Sequence, residues 1–397
     1  MKFSHLADCH LGAWREPKLR QANLDCFCKA IDISIEENVD FVLIAGDLFN
    51  TSVPSIDVIR MAMFKLKQLK DKQIPVYGIA GSHDFSPSGK TMLDVLQTAD
   101  VFINVSKDAE VIDNQLKLKL WKDVKTGALI TGVFGRKGSL DKYYYDNLYR
   151  DHFNVSGFKI FMFHNTIDEL KPKELQKVEG MPISFLPKGF DYYAGGHVHV
   201  VDKCNLEGYQ NVIFPGPTFP NNFSELEKLK NGTFCIFENG NITHVPLNSY
   251  EAHSISINCE GKTPEEVQDL LEKQPTDRIS DNTIVTLRLF GTMNGKPSQL
   301  DFSNALEKFS DAYFVMKNTN KLTSVDYEEI KISDDNIESI ETNIINENVG
   351  QSKYSKDEEK LLINDLISTL CVDKNEGMKK TDFENKIIND LSSILKV

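Results

Sequence analysis

Side chains that bind divalent metals recur along the first half of the chain, each time at or just after the end of a short apolar run. Five of the nine histidines and three aspartates occupy such positions: Asp8, His10, Asp47, His83, Asp84, His164, His197 and His199. Imidazole and carboxylate ligands together suit borderline ions such as Mn²⁺, Fe²⁺ or Zn²⁺. Two such ions that share a carboxylate can activate a water molecule and stabilise both the entering and the leaving oxygen of a phosphate ester.

Each of these pieces has an ordinary structural alternative when it is taken alone. An aspartate two residues before a histidine is most often part of a solvated turn, and a lone histidine such as His164 is more often packed in a core. The pair His197 and His199 is more specific, because residues two apart point to the same side of a strand. The two glycines before the pair also permit a close backbone approach. Since all the pieces fall in one region, the joint interpretation as a metal site is favoured.

The elements that must position these residues indicate a layered α/β protein. Residues 1–250 alternate apolar runs with helical stretches around 20–37 and 55–71. Runs such as DFVLIAGD and FKIFMFHN are almost continuously apolar, which is typical of strands covered on both faces. Open α/β sheets place their sites at the carboxyl ends of strands. We therefore expect the metal-binding side chains to meet at one edge of the structure.

Changes in sequence texture divide the chain into four parts. Residues 1–250 carry the metal-binding side chains, 251–335 predict a small α+β domain, 336–354 form a polar, Asn-rich linker, and 355–397 predict two amphipathic helices. The apolar stripes of these helices are Leu362, Leu366 and Leu370 in the first and Phe383, Ile387, Leu391 and Leu395 in the second. About 40 residues bury little by themselves. The helical pair therefore docks on its own chain, pairs with a second copy, or binds helices of another protein.

Composition and charge limit the classes of protein to which the chain can belong. No run of about 18 apolar residues and no signal-type apolar segment occurs, so we expect an intracellular protein, cytoplasmic or associated with the nucleoid, or nuclear in a eukaryote. The seven scattered cysteines indicate reduced thiols. The net charge of −13 resides mostly in residues 251–397 and argues against a generic nucleic-acid-binding surface. If the chain binds the phosphates of a nucleic acid, it must do so through a small local cluster of basic residues.

Basic residues that could bind phosphate stand in two short clusters. Arg15, Lys18 and Arg20 follow the first metal-ligand motif, and Arg136 and Lys137 fall in a turn near the middle of the domain. Clusters this short are more often solvated surface than phosphate contacts, so both interpretations stay open.

The motifs, taken in order, resemble those of the calcineurin-like metallophosphoesterases. The stretches MKFSHLADCHLG, DFVLIAGDLFN, GSHD, YYAGGHVH and VIFPG, which span residues 1–217, are similar to one branch in particular. That branch is the meiotic-recombination-eleven and SbcD family of DNA double-strand-break repair nucleases. The resemblance implies a layered β-sandwich flanked by helices, followed by a small capping domain that orients DNA and by a C-terminal helix-loop-helix.

The resemblance also implies roles for the metal-binding side chains. Asp8, His10 and His199 would hold one ion, and Asp47 would bridge to a second. His164 and His197 would complete the second site together with position 82, where the family normally has Asn and this chain has Ser82. His83 would be the catalytic acid beside the scissile phosphate, with Asp84 orienting its ring. The implied cofactors are two divalent ions, with Mn²⁺ expected.

The activity implied by the resemblance is 3′→5′ exonuclease action on double-stranded DNA ends and endonuclease action on single strands or hairpins. The C-terminal helical pair would bind an SMC-like coiled-coil ATPase. A homodimer would form through helices near 57–71 and 91–99, with Met61, Phe64, Leu93 and Leu96 as apolar candidates; intramolecular core is an equal alternative for these four. Two other functions compete with the nuclease. One is a metallophosphodiesterase acting on a small nucleotide or phosphoprotein, and the other is an architectural DNA-end-binding subunit with weak activity, which Ser82 alone supports.

Overall fold

The computed structural model describes residues 1–86, 89–136, 141–172, 175–277, 279–325, 345, 356–374 and 380–395. The chain forms two compact units, Met1–Asp326 and Tyr327–Val397, and each is described by itself. Within the described residues, no helix is both long enough and apolar enough to cross a membrane.

Two six-stranded sheets form the body of the first unit. The strands of the first sheet are β1 (Lys2–Leu6), β2 (Phe41–Ala45), β3 (Val76–Ile79), β4 (Ile103–Asn104), β13 (Gly232–Glu238) and β14 (Asn241–Leu247). Their order is β14-β13-β1-β2-β3-β4; β1 to β4 are parallel and β13 is antiparallel to β1. The strands of the second sheet are β7 (Trp121–Lys122), β8 (Leu129–Gly132), β9 (Lys159–His164), β10 (Tyr192–Gly196), β11 (Val201–Leu206) and β12 (Tyr209–Pro215). Their order is β11-β12-β10-β9-β8-β7, with β8, β9, β10 and β12 parallel.

Both faces of the first sheet are covered, which explains its nearly continuous apolar sequences. In β2, Phe41 and Leu43 face the second sheet and pack in a core that includes Ile160 of β9. Val42 and Ile44 face the opposite way, into a core shared with the outer helices. Those helices are α1 (Pro17–Glu36), α2 (Ile56–Asp71) and α3 (Leu93–Thr98). The predicted class, a layered α/β sandwich flanked by helices, is confirmed.

Shorter elements complete the body of this unit. They are the hairpin of β5 (Glu110–Ile112) and β6 (Gln115–Lys117), and the helices α4 (Lys142–Asp146) and α5 (Phe223–Leu229). A third core covers the outer face of the second sheet, where Phe161 and Phe163 of β9 pack with Tyr145 of α4.

A smaller domain begins at Glu251, where the sequence texture changes. It contains a three-stranded parallel sheet with its own core and two helices: β15 (Glu251–Asn258), β16 (Thr283–Met293), β17 (Phe314–Ser324), α6 (Pro264–Glu272) and α7 (Phe302–Glu307). Thr263 starts α6 with a capping box to Glu266, which satisfies two backbone donors at the helix start. The predicted end of this domain, at residue 335, lies outside the described residues.

The residues expected at a dimer surface divide into two groups. Leu93 and Leu96 are completely buried, because α3 packs its apolar side onto the first sheet. The interface prediction is wrong for these two, and they belong to the intramolecular core. Phe64 on α2 is 55% exposed and Met61 is half-buried, so for them the interface stays a prediction.

The second unit contains α8 (Lys356–Leu370) and α9 (Lys380–Leu395), which pack against each other. Most residues of the predicted stripes are half-buried; they are Leu362, Leu366, Phe383, Ile387 and Leu391. Leu370 and Leu395 are exposed. The predicted linker, 336–354, lies outside the described residues except for position 345.

Candidate dinuclear metal centre

The carboxyl ends of strands from both sheets meet at one place and bring the metal-binding side chains together. Asp8 follows β1, Asp47 follows β2, His164 ends β9, and His197 follows β10. The His164 Nδ1–H donates to the carbonyl oxygen of Ala45 at 2.8 Å, which connects the second sheet to the first. The backbone N–H of His197 donates to both oxygens of Asp8, at 2.9 and 3.0 Å. The parallel strands of two sheets thus share one site at a common edge.

The backbone of this site is held in an uncommon conformation. Five of its residues have a positive φ: Asp8 (51°), His10 (43°), Asp47 (49°), His197 (92°) and His199 (49°). For residues with a Cβ this region costs about 1–3 kcal/mol each and persists only where surrounding contacts enforce it. A cluster of non-glycine residues with a positive φ is typical of functional sites.

Asp8, His10 and His199 form the first group. The His10 and His199 Nε2 atoms are 3.0 Å apart, and Asp8 Oδ1 is 3.7 Å from His199 Nε2. Two ligand nitrogens about 2.1 Å from one ion are about 3 Å apart when their bonds are at right angles. The spacing of this group fits a single divalent ion.

Asp47, His164 and His197 form the second group. Asp47 Oδ2 lies 3.0 Å from His164 Nε2 and 3.5 Å from His10 Nε2, so one carboxylate oxygen contacts both groups. The His164 Nδ1–H is donated to a carbonyl, and its buried Nε2 faces Asp47 Oδ2. A histidine whose outer nitrogen is held by a carbonyl presents its other nitrogen in a fixed direction, as a metal ligand requires. The residues of both groups therefore fit divalent ions.

Burial and close charges shift the pKa values in this site in opposite directions. Burial lowers the pKa of His10 to about 3 and that of His197 to about 4. Burial also opposes charge on His164 and His199, but the nearby carboxylates outweigh it and raise their pKa values to about 10 and about 9. The pKa of Asp47 falls, because His164 and His10 overcome the effect of burial. Metal ions would have to displace protons from the two basic histidines.

The GSHD turn after β3 brings Ser82 and His83 to the same edge. Gly81 is needed there, because a side chain on it would overlap the Asp47 carboxylate. The backbone N–H of His83 donates to Asp47 Oδ1 at 2.8 Å, and the Ser82 side chain is buried. His83, His10 and Asp47 form a third, overlapping group of metal-ligand type. Whether Ser82 coordinates an ion stays a prediction.

The expected pairing of Asp84 with the His83 ring is wrong. The Asp84 carboxylate is completely buried and accepts hydrogen bonds from the backbone N–H groups of Phe49, at 3.0 Å, and Gly81, at 2.9 Å. The tight turn folds this side chain back onto the loop after β2. Instead the His83 Nδ1–H donates to the carbonyl oxygen of Asn50 at 2.8 Å, so a backbone group fixes the ring and its tautomer.

Comparison with known proteins identifies the family. Residues 1–201 match the family model described as calcineurin-like phosphoesterase. The DNA double-strand break repair protein Mre11 of Methanocaldococcus jannaschii is 30% identical over 280 residues, which cover 65% of this chain and 67% of that protein. The chain belongs to the Mre11 family. Mre11 of Sulfolobus acidocaldarius is 28% identical over 397 residues, 96% of this chain and 98% of that protein. A solved dimetal phosphatase from Danio rerio superposes with a TM-score of 0.37 and 13% identity, over 62% of this chain and 95% of that chain.

Membership of the Mre11 family gives the biochemical class. The protein is a metal-dependent phosphodiesterase, a hydrolase, and a nuclease of DNA repair. Divalent metal ions are its cofactors, in agreement with the three groups of ligand side chains at the strand ends.

Three of the five basic residues expected to contact DNA, Lys18, Arg20 and Arg136, have other contacts in this Mre11-family structure. Lys18 Nζ donates to the carbonyl oxygen of Tyr313 at 3.0 Å, and the Arg20 guanidinium donates to the carbonyl oxygens of Trp14 and Arg15. Arg15 is exposed. Arg136 lies over the rings of Phe85 and Phe134, at 5.3 and 5.5 Å, and Lys137 lies outside the described residues. Contact with DNA stays a prediction for all five.

Two residues that support the metal centre were missed by sequence reasoning. Asn23 of α1 is completely buried and binds the loop after β1 at two points, with Nδ2 donating to Cys9 O and Oδ1 accepting from Gly12 N. A polar residue on the apolar face of a predicted helix was the available signal. Glu225 accepts a hydrogen bond from His199 Nδ1 at 3.0 Å. Its sequence context, Asn222 followed by Glu225, indicates only a helix cap.

Proposed function

We propose that this protein hydrolyses DNA phosphodiester bonds with two Mn²⁺ ions, as a 3′→5′ exonuclease on double-stranded ends and an endonuclease on single strands and hairpins. The observation that carries the proposal is the position of Asp47 Oδ2, 3.5 Å from His10 Nε2 and 3.0 Å from His164 Nε2. A carboxylate shared by two ligand groups suits two adjacent ions. The name of the relatives, DNA double-strand break repair protein, supports DNA as the substrate.

The ions, when bound, supply positive charge to the phosphate oxygens and lower the pKa of a water molecule. The leaving sugar oxygen still needs a proton, and we assign its delivery to His83. The Nδ1–H of this ring is fixed on Asn50 O, which leaves Nε2 as the nitrogen that exchanges a proton with substrate. Asp84 serves the reaction indirectly, since it binds the N–H groups of Phe49 and Gly81 and so holds the loops that carry Asp47 and His83.

The rest of the chain suits a macromolecular substrate and protein partners. The small domain from Glu251 onward is held against residues 1–250 by a hydrogen bond from Tyr313 to the carbonyl oxygen of Lys18 and by an ion pair between Arg288 and Glu227. We assign it the role of a capping domain that orients DNA. We assign the α8–α9 pair to an SMC-like coiled-coil ATPase, and the exposed part of α2 around Phe64 to a homodimer.

A substrate comparison tests the proposal. Protein with Mn²⁺ is incubated with end-labelled duplex, hairpin and single-stranded DNA, and in parallel with a small chromogenic phosphodiester. We expect duplexes to shorten from their 3′ ends and hairpins to be cut internally. Cleavage of the small ester alone would favour a phosphodiesterase for small substrates. Binding of DNA ends without cleavage at millimolar Mn²⁺ would favour an architectural subunit.

A second arm tests the partner. The full chain is mixed with the SMC-like ATPase, with and without ATP, and analysed by size-exclusion chromatography. Glu substitutions at Leu366 and Leu391, which are half-buried stripe residues of α8 and α9, should weaken the complex. A complex that survives both substitutions would contradict the assignment of this helical pair.

A further inference from the structure

We propose that Glu225 is a positioning residue that fixes the orientation and tautomer of His199, and that the capping domain holds the helix that carries it. The proposal rests on the proposed role of His199 as a metal ligand. It concerns how this ligand is held and how the capping domain is linked to the metal centre.

The His199 ring has different partners at its two nitrogens. Nδ1–H donates to Glu225 Oε1 at 3.0 Å, while Nε2 lies 3.0 Å from His10 Nε2 and 3.7 Å from Asp8 Oδ1. A hydrogen on Nδ1 leaves the Nε2 lone pair available for an ion. A carboxylate that accepts from the outer nitrogen of a metal-binding histidine fixes the ring and makes it a stronger ligand.

Glu225 is itself held so that it cannot turn toward an ion. Its Oε2 accepts from Asn221 N at 2.8 Å, and its Oε1 also accepts from Asn222 Nδ2 at 2.6 Å. Asn222 in turn accepts from Glu225 N at 2.9 Å and caps the start of α5. Among the described residues, Glu225 belongs to none of the ligand groups. Its carboxylate therefore acts through His199 and not on the metal directly.

Residues of the capping domain also contact α5, the short helix that carries Glu225. Arg288 of β16 donates to both oxygens of Glu227, with Nη2 2.6 Å from Oε2 and Nε 2.9 Å from Oε1, and to Ser224 Oγ at 3.3 Å. Its guanidinium also lies 5.0 Å from the Phe223 ring centre. Just after α5, Lys230 Nζ donates to Ser254 Oγ at 2.6 Å. Residues of α5 that flank Glu225 are thus tied to the capping domain, so its docking and the position of His199 are mechanically connected.

Titration of the full chain with Mn²⁺ alone, by calorimetry and electron paramagnetic resonance, tests this proposal without DNA. Glu225→Ala should weaken one of the two Mn²⁺ sites by about 10- to 100-fold and leave the other within about twofold. Glu225→Gln, which keeps an oxygen acceptor but loses the charge, should restore part of that affinity. Arg288→Gln should weaken the same site by a smaller factor, about two- to fivefold.

Glu207→Ala is the matched control, because it removes an exposed glutamate in the turn between β11 and β12 that belongs to no ligand group among the described residues. It should leave both Mn²⁺ affinities within about twofold. Unaltered Mn²⁺ binding by Glu225→Ala, equal weakening of both sites, or equal effects of Glu225→Ala and Glu207→Ala would overturn the proposal. Thermal unfolding in chelator identifies a variant that does not fold, and Glu225→Gln then decides the question.

The outcomes also separate this proposal from the nuclease assignment. Selective loss of one Mn²⁺ site in Glu225→Ala, with a wild-type chain that cleaves no DNA, supports the positioning role and contradicts the nuclease assignment. A wild-type chain that cleaves DNA, with a Glu225→Ala variant that binds both ions normally, contradicts the positioning role alone.

Discussion

The metal centre and the contact between the capping and nuclease domains are both polar, yet they are built differently. In the centre, Asp8 and Asp47 are 1% and 2% exposed, and five residues adopt a positive φ. At the domain contact, the side chains of Arg288 and Glu227 are 16% and 20% exposed, so water reaches them. Buried carboxylates need compensating positive charge, whereas partly hydrated pairs tolerate loss of a partner. Substitutions in the centre should therefore have much larger effects than substitutions at the contact.

The largest effect is expected for Asp47→Ala, which removes the carboxylate shared by both ligand groups. Mn²⁺ affinity should fall by more than about 100-fold, because removing a ligand costs more than removing a residue that only hydrogen-bonds to a ligand. DNA cleavage should fall to background. Calorimetric titration and a nuclease assay measure the two effects. Asp57→Ala, at an exposed aspartate of α2, is the control and should change neither. Retention of both ions by Asp47→Ala would remove the basis for a bridged pair.

His83→Ala comes next and should separate chemistry from metal binding. Loss of a positioned general acid typically slows a reaction by about 10²–10⁴-fold, while metal content should stay near that of the wild type. Turnover under saturating Mn²⁺ and metal analysis of the purified variant give the two values. His253→Ala in the capping domain serves as the control. If His83→Ala loses ions, the side chain is a ligand and its assignment as the acid is wrong.

Mn²⁺ binding should strengthen as pH rises from 6 to 9. Without metal, the nearby carboxylates hold the pKa of His164 at about 10 and that of His199 at about 9, so both rings are protonated at pH 7. Each proton that an ion displaces raises the affinity by up to about tenfold per pH unit, because binding and deprotonation are coupled. Titrations in buffers of different ionisation enthalpy count the released protons. An affinity that does not change over this range would contradict protonated histidines in the metal-free centre.

Ser82→Asn should have a smaller effect, about a fivefold gain in affinity for the second ion, which corresponds to about 1 kcal/mol. The amide oxygen reaches farther than a hydroxyl and is a stronger neutral ligand. Ser82→Ala is the matched control and should match the wild type if the hydroxyl reaches the ion only through water. Unchanged affinity in Ser82→Asn would show that position 82 does not contact the ion.

The smallest effect is expected at the domain contact, for Tyr313→Phe. The lost hydrogen bond from Tyr313 to the carbonyl oxygen of Lys18 should reduce the free energy of unfolding by about 0.5–1.5 kcal/mol. Urea unfolding measures this change, and Tyr143→Phe, at a side chain that is largely exposed, is the control. Mn²⁺ affinity should stay within twofold. A large loss of Mn²⁺ affinity would show that a substitution at the domain contact disturbs the metal centre. It would contradict the expectation that effects at the contact are small.

Much of the metal centre could be predicted because strand ends are visible in sequence. The apolar run FVLIA ends two residues before Asp47 and the run KIFMFH ends at His164, and parallel strands bring such ends to a common edge. The role of Asp84 could not be predicted in this way. Its neighbour in the chain is His83, but its hydrogen-bond partners are the N–H groups of Phe49 and Gly81, and the path of the turn selects them.

The sequence by itself determined the class of fold and the order of the metal-binding side chains, because apolar periodicity and residue type are local properties. Only the tertiary structure decided that Leu93 and Leu96 belong to the core, that Asn50 O fixes the His83 ring, and that Glu225 contacts His199. These contacts join residues from different elements. They depend on how helices and loops pack onto two sheets, and no local pattern specifies that packing.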